Sequence, residues 1–232
     1  METLNNGFTL ELCPGAFPLS TDSIALAHFV VCRPADQVLD LGSGCGTLGL
    51  MLCAQYETVQ VTGVEIDENA HLQALENAAR NGISHRLTSI CADIASFHEQ
   101  VIPGAYSVCI SNPPYFTGGP DSQKAPVARK ENSFQLETLC SVAAKALKYG
   151  GDFYIVHRPE RLAEIFTISS AHKLEPKKLQ LLRHRQDGPV SLVLVHCKKG
   201  GKPGLIWQEE FLRCQDGTPS PYYHNLYHDQ EG

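Results

Sequence analysis

Asn112-Pro113-Pro114-Tyr115 combines residue types that can hold a planar amino group. An Asn side-chain oxygen and the carbonyl of Pro113, which has no N–H, can both accept hydrogen bonds from one exocyclic NH₂. Tyr115 adds an aromatic face for the ring that carries it. An Asn-Pro pair is also an ordinary turn, and the apolar run before it, Tyr106–Ser111, reads as a strand that needs one. The choice between turn and clamp falls to the rest of the chain.

Asp40-Leu-Gly42-Ser-Gly44-Cys-Gly46 closes an earlier apolar run. Its glycines let backbone approach a ligand closely. A dinucleotide fingerprint would carry its third glycine at position 47, which is Thr. A carboxylate at Asp40 suits a cationic amine and sits badly beside a pyrophosphate, which tilts the reading towards S-adenosylmethionine. Glu65 closes the next strand, where it could accept both hydroxyls of a ribose. Asp93 follows the third, where it could accept from an adenine amino group. Each acid could instead cap a helix, as strand–helix junctions favour. Three of them at successive strand ends, with the Asn-Pro clamp after the fourth, make a coherent site.

The elements that must position these groups alternate in type. Val38–Leu41, Val59–Val64, Leu87–Cys91, Ser107–Ile110 and Phe153–Val156 read as strands. Helices are expected over Thr47–Gln55, Asp67–Asn81 (stopped by Gly82), Phe134–Lys148 (stopped by Gly150-Gly151) and Pro159 to about Ser170. Two closing strands, near Lys178–Leu182 and Ser191–His196, flank the turn Gln186-Asp-Gly-Pro189, so the last is antiparallel. This order predicts an α/β fold, a doubly wound, mostly parallel seven-stranded sheet with helices on both faces. In such a sheet ligands bind beyond the carboxyl ends of the strands, at the topological switch point. Residues 1–36 form an N-terminal extension, 37–202 the main domain, and 203–232 an irregular tail rich in Tyr and Pro.

Composition bounds the alternatives. A chain of 232 residues with 43% hydrophobic and 19% charged residues is one globular domain. No apolar run approaches the ~20 residues that span a bilayer, and no signal peptide is evident, so a cytoplasmic location without membrane contact is expected. Nine cysteines, without a Cys-x-x-Cys pair, read as free thiols in a reducing compartment. Ten scattered histidines, including the helically spaced His224 and His228 alone, predict no metal site. Net charge is −6, yet from Arg158 to Lys202 ten Lys/Arg stand against four Asp/Glu. That asymmetry fits one surface facing a polyanion, or a solvated face. Nothing in the sequence specifies an oligomeric state.

Asp40–Gly46, Val64–Asp67, Ala92-Asp93-Ile94 and Asn112–Tyr115, in that order, resemble the motifs of class I S-adenosylmethionine-dependent methyltransferases that modify amino nitrogens. Phe17-Pro-Leu-Ser-Thr-Asp-Ser23 is similar to the N-terminal motif that closes over the cofactor in adenine-N6 enzymes. Ala128-Arg-Lys-Glu131 and His157-Arg-Pro-Glu-Arg-Leu162 resemble features of the bacterial tRNA1(Val) (adenine-N6)-methyltransferase family, with Lys130 where that pattern carries His. The resemblance implies methyl transfer to an adenine N6 in tRNA, with S-adenosylmethionine as cofactor. It adds Thr21, Ile66 and Ile94 to a cofactor-binding set of Asp40, Gly42, Gly44, Glu65, Asp93 and Asn112. Asn112, Pro113, Pro114 and Tyr115 become the catalytic set, with Tyr115 and Phe116 stacking on the adenine. Arg129, Lys130, Arg158 and Arg161 are the candidates for RNA phosphates, although Arg158 and Arg161 could equally brace the helix or pair with Glu160 and Glu164.

A protein-glutamine methyltransferase would present a similar amide to the same clamp. It usually brings a helical substrate domain, for which 36 residues leave little room. A non-catalytic binding module is the other alternative, and the intact clamp with its three acids argues against it.

Overall fold

A computed structural model of the chain describes residues 2–4, 7–15, 19–113 and 125–228; for 125–134 and 228 it describes backbone alone. A two-residue pairing, β1 (Glu2–Thr3) with β2 (Thr9–Leu10), precedes α1 (Thr21–Phe29). There follow β3 (Gln37–Leu41), α2 (Thr47–Gln55), β4 (Gln60–Glu65), α3 (Glu68–Arg80), β5 (Leu87–Cys91), α4 (Ile94–Gln100) and β6 (Tyr106–Ser111). The second half holds α5 (Ala125–Ala146), β7 (Leu147–His157), α6 (Leu162–Ala171), β8 (Leu174–Arg185), β9 (Val190–Lys199), β10 (Ile206–Arg213) and α7 (Pro221–His228).

The strands form one sheet in the order β10-β8-β9-β7-β6-β3-β4-β5. Strands β5, β4, β3, β6 and β7 are parallel, and β9 runs antiparallel to both β7 and β8. The expected doubly wound architecture and antiparallel closing strand are therefore present. The chain winds outward from β3 to β5, then returns to place β6 on the other side of β3. The switch point lies between β3 and β6, and sheets of this kind form their binding crevice beyond the carboxyl ends of such strands.

Both faces of the sheet are covered. Leu26, Leu50, Leu52, Ala78 and Leu226 bring α1, α2, α3 and α7 onto one core. Leu139, Val142, Ala143, Phe97 and Ile165 bring α4 and α5 with α6 onto the other. The central strands are buried on both sides, which is why they read as continuous apolar runs. α3 presents Ala70, Ala74 and Ala78 to the sheet, starts at Asp67, whose carboxylate accepts from Ala70 N at 2.9 Å, and stops before Gly82 at φ +69°.

Three expectations need correction. The sheet has eight strands rather than seven. Residues 203–232 are not simply an irregular tail: β10 pairs in parallel with β8, from Ile206 opposite Lys178 to Arg213 opposite Arg185, and α7 packs Leu226 into the core. This edge strand carries Glu209-Glu210 and leaves Ile206 and Trp207 exposed, so its hydrophobic alternation is weak. Finally, α5 stops at Ala146, short of the expected Lys148, because Leu147 already pairs with Tyr106 and opens β7. Gly151 lies within that strand. A Cβ there would stand 3.0 Å from the Ser107 carbonyl, so the glycine serves close strand approach rather than a helix stop.

Candidate active site

Asp40 sits at the end of β3 with its side chain buried at 1% exposure. Neither carboxylate oxygen has a hydrogen-bond partner among the described residues, and neither has Ser43 Oγ beside it. Burial, assisted by the nearby Glu65 charge, pushes the Asp40 carboxyl up to about 8. An ionised group so placed is costly until something positive or hydrogen-bonding meets it.

The turn after Asp40 divides its glycines by task. Gly42 (φ +77°) and Gly44 (φ +53°) face space free of described atoms, since a Cβ on either would meet none of the described residues within 4 Å. Gly46 instead packs on α3, where its Cβ would lie 3.2 Å from that of Ala74. α2 begins at Gly46 without a side-chain cap, which leaves its first N–H groups directed at the turn. The turn is held by Val64, whose carbonyl accepts from Gly42 N (2.9 Å) and Ser43 N (3.1 Å).

Glu65 ends β4, and its carboxylate ties two neighbours together. Oε2 accepts from Gly44 N at 2.8 Å, and Oε1 accepts from Asp67 N at 2.9 Å. Ile66 follows with 67% exposure, an apolar surface beside an acid. Asp93 stands after β5 as the N-cap of α4, accepting from Ala95 N at 2.7 Å. It remains exposed, while Ile94 is partly buried against the α4 core.

Asn112 and Pro113 leave the end of β6, half-buried. Ser111 Oγ donates to Leu41 O at 2.8 Å and locks the ends of β6 and β3 together. Asn112 Nδ2 donates to Ser23 Oγ on α1 at 3.0 Å. Thr21, at the start of that helix, is hydrogen-bonded to Tyr227 of α7, with 3.0 Å between oxygens. Phe17, Pro18, Pro114, Tyr115 and Phe116 lie outside the described residues.

The candidate phosphate ligands are more dispersed. Arg129 and Lys130 lie near the start of α5, where side chains are not described. Arg158 follows β7 and donates to Ser191 O at 3.3 Å. Arg161 makes a two-pronged ion pair with Glu164, 2.8 Å on each prong. The structure thus brings Asp40, Gly42, Gly44, Glu65 and Asn112 to neighbouring strand ends on one side of the sheet, with Asp93 at the next strand end.

Sequence reasoning missed four residues here. Gly63 is paired with Asp40 across β3 and β4, and a Cβ on it would come 2.5 Å from Ser43 Oγ. Asn77, fully buried on α3, donates to Cys45 O (3.0 Å) and Glu11 O (2.8 Å) and accepts from Glu11 N, so it binds the N-terminal segment to the glycine turn. Ser23 and Tyr227 act across 89 and 206 residues. The Ser-Thr-Asp-Ser23 motif was the one sequence signal pointing near any of these contacts.

The chemistry of this donor set can be stated without a ligand in view. A buried carboxylate without a hydrogen-bond partner among the described residues, beside two glycines that no described side chain crowds, fits a ligand that carries positive charge. An amide and a proline carbonyl at the neighbouring strand end fit a second molecule with an N–H₂ group. Among the described residues no cluster of three His, Cys, Asp or Glu could hold a metal ion, and no helix is long and apolar enough to cross a membrane.

Comparison with known proteins is consistent with this geometry. The family model for the methyltransferase small domain matches residues 20–168. Proteins named tRNA1(Val) (adenine(37)-N6)-methyltransferase are similar over much of the chain. That of Bacteroides fragilis is 30% identical over 183 residues, 78% of this chain and 76% of its own. That of Salmonella enteritidis is 32% identical over 172 residues, covering 70% and 69%. The match to the Shewanella halifaxensis protein, 31% identical over 159 residues, takes in 68% of this chain and 64% of that protein. Among solved structures, an Agrobacterium tumefaciens protein described as a predicted O-methyltransferase superposes with a TM-score of 0.73 at 22% identity, covering 89% and 95% of the two chains. Geranyl diphosphate C-methyltransferase from Streptomyces coelicolor, solved with S-adenosyl-L-homocysteine, gives 0.56 at 14% identity, covering 75% and 77%.

Proposed function

Because the chain belongs to the methyltransferase small domain family, and within it to the tRNA1(Val) (adenine-N6)-methyltransferase family, we propose that it methylates the exocyclic N6 of an adenine in tRNA. The protein is an S-adenosylmethionine-dependent methyltransferase of class I fold. The observation that carries the adenine-N6 reading is the placement of Asn112-Pro113 at the end of β6, bonded through Ser111 to the end of β3, where Asp40 stands buried with no hydrogen-bond partner among the described residues.

S-adenosylmethionine, when bound, supplies an electrophilic methyl group on a sulfonium. The Asp40 end of the crevice is suited to the positive amino-acid portion of that molecule, with Gly42 and Gly44 giving it room. Glu65 keeps acceptor capacity on both oxygens for ribose hydroxyls, and the exposed Ile66 gives an adenine ring an apolar wall. Asp93 offers an acceptor to the adenine amino group from the next strand end.

An adenine N6 is a poor nucleophile because its lone pair is delocalised into the ring. Asn112 Oδ1 and the Pro113 carbonyl, accepting from that amino group, draw it towards tetrahedral geometry and aim its lone pair at the methyl. A strong base is not needed before attack, since the N6 proton becomes acidic on methylation and leaves to water. The residues therefore work by positioning and electrostatics. Tyr115, with Phe116, stacks on the splayed base, an interaction worth about 1–3 kcal/mol per base. An unpaired loop nucleotide reaches such a pocket cheaply. Arg129, Lys130 and Arg158 are the residues we assign to RNA phosphates, whereas Arg161 acts through its ion pair with Glu164. This reading puts the protein in the cytoplasm with its RNA.

The test is direct. Purified protein is incubated with methyl-labelled S-adenosylmethionine and bacterial tRNA lacking the modification, and the RNA is digested to nucleosides. Label in N6-methyladenosine is expected. Unlabelled RNA from protein that binds the cofactor overturns the RNA reading, and label in a glutamine side chain of an added extract would identify a protein substrate instead.

A further inference from the structure

The amide of Asn112 has two ends of similar shape and opposite hydrogen-bonding character. Only the oxygen serves a clamp. An amide turned the other way would set its own NH₂ against the NH₂ of the substrate, donor against donor. Whatever holds Nδ2 therefore decides whether the clamp works. Among the described residues Nδ2 donates to Ser23 Oγ, at 3.0 Å. With Nδ2 directed at α1, the oxygen is the branch turned away from that helix.

Ser23 is itself held from two sides. Its own backbone N–H donates to the N-cap Ser20 Oγ at 3.4 Å, which fixes the first turn of α1. In the same turn, Thr21 Oγ1 lies 3.0 Å from the hydroxyl of Tyr227. Tyr227 belongs to α7, a helix anchored on the β8–β10 edge of the sheet. Leu226 is 1% exposed, Tyr222 OH accepts from Gln180 of β8 at 2.6 Å, and the Tyr223 and Tyr227 rings lie 4.5 Å apart. Ile24, Ala25, Leu26 and Ala27 bury the body of α1 in the core, so its first turn has a rigid support.

We infer that Ser23 is a positioning residue for the Asn112 amide, and that Tyr227 steadies it through Thr21 across the first turn of α1. The inference rests on the reading of Asn112 as the clamp. Neither Ser23 nor Tyr227 touches the reacting atoms. Both act on the orientation of the amide, so their loss lowers turnover more than it weakens cofactor binding, to which Thr21 is assigned.

The experiment compares wild type with Ser23→Ala, Ser23→Thr, Tyr227→Phe, Ser23→Ala/Tyr227→Phe and Asn112→Ala. The readouts are kcat and KM on unmodified tRNA with labelled donor, cofactor Kd by calorimetry, and thermal melting as a check on folding. Ser23→Ala is expected to lower kcat roughly tenfold, the scale of one net hydrogen bond, with cofactor Kd within about twofold. Ser23→Thr, which restores the hydroxyl, recovers most of that loss. Tyr227→Phe lowers kcat by a smaller factor, about two- to threefold, and the double variant is no slower than Ser23→Ala, as two residues on one path require.

Ser23→Ala at wild-type kcat beside an inactive Asn112→Ala overturns the inference and leaves the clamp standing. So does a multiplicative loss in the double variant, for the Tyr227 limb. Should Ser23→Ala unfold, Ser23→Thr at the wild-type melting temperature carries the same test: a kcat near wild type supports the role of the hydroxyl, and a loss like that of Asn112→Ala opposes it. Full activity in Asn112→Ala removes the clamp reading itself. Absence of RNA methylation by the wild type removes the assigned substrate instead.

Discussion

Asp40 shows how a single carboxylate can record the charge of a ligand. Its carboxyl is raised from 3.8 to about 8 by burial first and Glu65 second. In the folded protein it therefore keeps a proton that the unfolded chain releases above pH 4. Folding stability attributable to this group falls as pH rises from about 4 towards 8. A cation in the crevice reverses the preference by favouring the ionised form. Cofactor affinity should accordingly rise with pH up to about 8, with proton release visible when calorimetry is repeated in buffers of different ionisation enthalpy. Asp40→Asn should bind the cofactor more weakly, show no such proton release, and melt higher than wild type at pH 8 in the absence of ligand. Unchanged affinity in that variant would mean that the cationic group lies elsewhere. Asp40, Glu65 and Asn112 were legible in the sequence because each follows an apolar run directly, and strand polarity then puts them at one end of the sheet. Ser23 and Tyr227 were not legible as partners, because only the folded backbone brings positions 89 and 206 residues apart within reach.

At the level of elements, the crevice depends on how closely β3 and β4 can carry the turn between them. Gly63 is opposite Asp40, and the space of its missing side chain is taken by Ser43. Gly63→Ala would place a methyl 2.5 Å from Ser43 Oγ, so the turn must move. The expected cost is about 1–3 kcal/mol of stability, as for other overpacked sites, with cofactor affinity lowered more than tenfold. Retained affinity in a folded variant would show that the turn has slack. β3, α2, β4, α3 and β5 could be read from sequence because hydrophobic run and glycine or acid punctuation agree there. β10 could not, since Glu209-Glu210 interrupt its pattern and its outer edge has no partner strand among the described residues. The start of β7 was hidden in a similar way, by a glycine pair that looks like a helix stop but serves strand contact with Ser107.

For the whole molecule, strand direction separates charges that adjoin in sequence. Arg183, Arg185 and Arg213 lie towards the crevice end of β8 and β10, where Arg183 meets Glu209 and Arg185 meets Asp187. Lys173, Lys198, Lys199 and Lys202 fall at the opposite end of the same strands. The basic excess between Arg158 and Lys202 is thus divided between two ends of the sheet and forms no single face. The added strand and helix matter more directly. Deleting residues from 221 onward removes Leu226 from the core, at a cost of about 2 kcal/mol for that side chain alone. It also removes Tyr227. Such a protein should melt lower than wild type and lose more turnover than Tyr227→Phe; equal turnover in the two would confine the contribution of α7 to the hydroxyl. That contact also sets an order of assembly. Asp40, Glu65 and Asn112 belong to strands β3, β4 and β6, which pair among themselves within the first half of the chain, whereas the hydroxyl bonded to Thr21 comes from α7. The first turn of α1 therefore gains that support only when α7 docks, after the strands that carry the candidate site can already have paired.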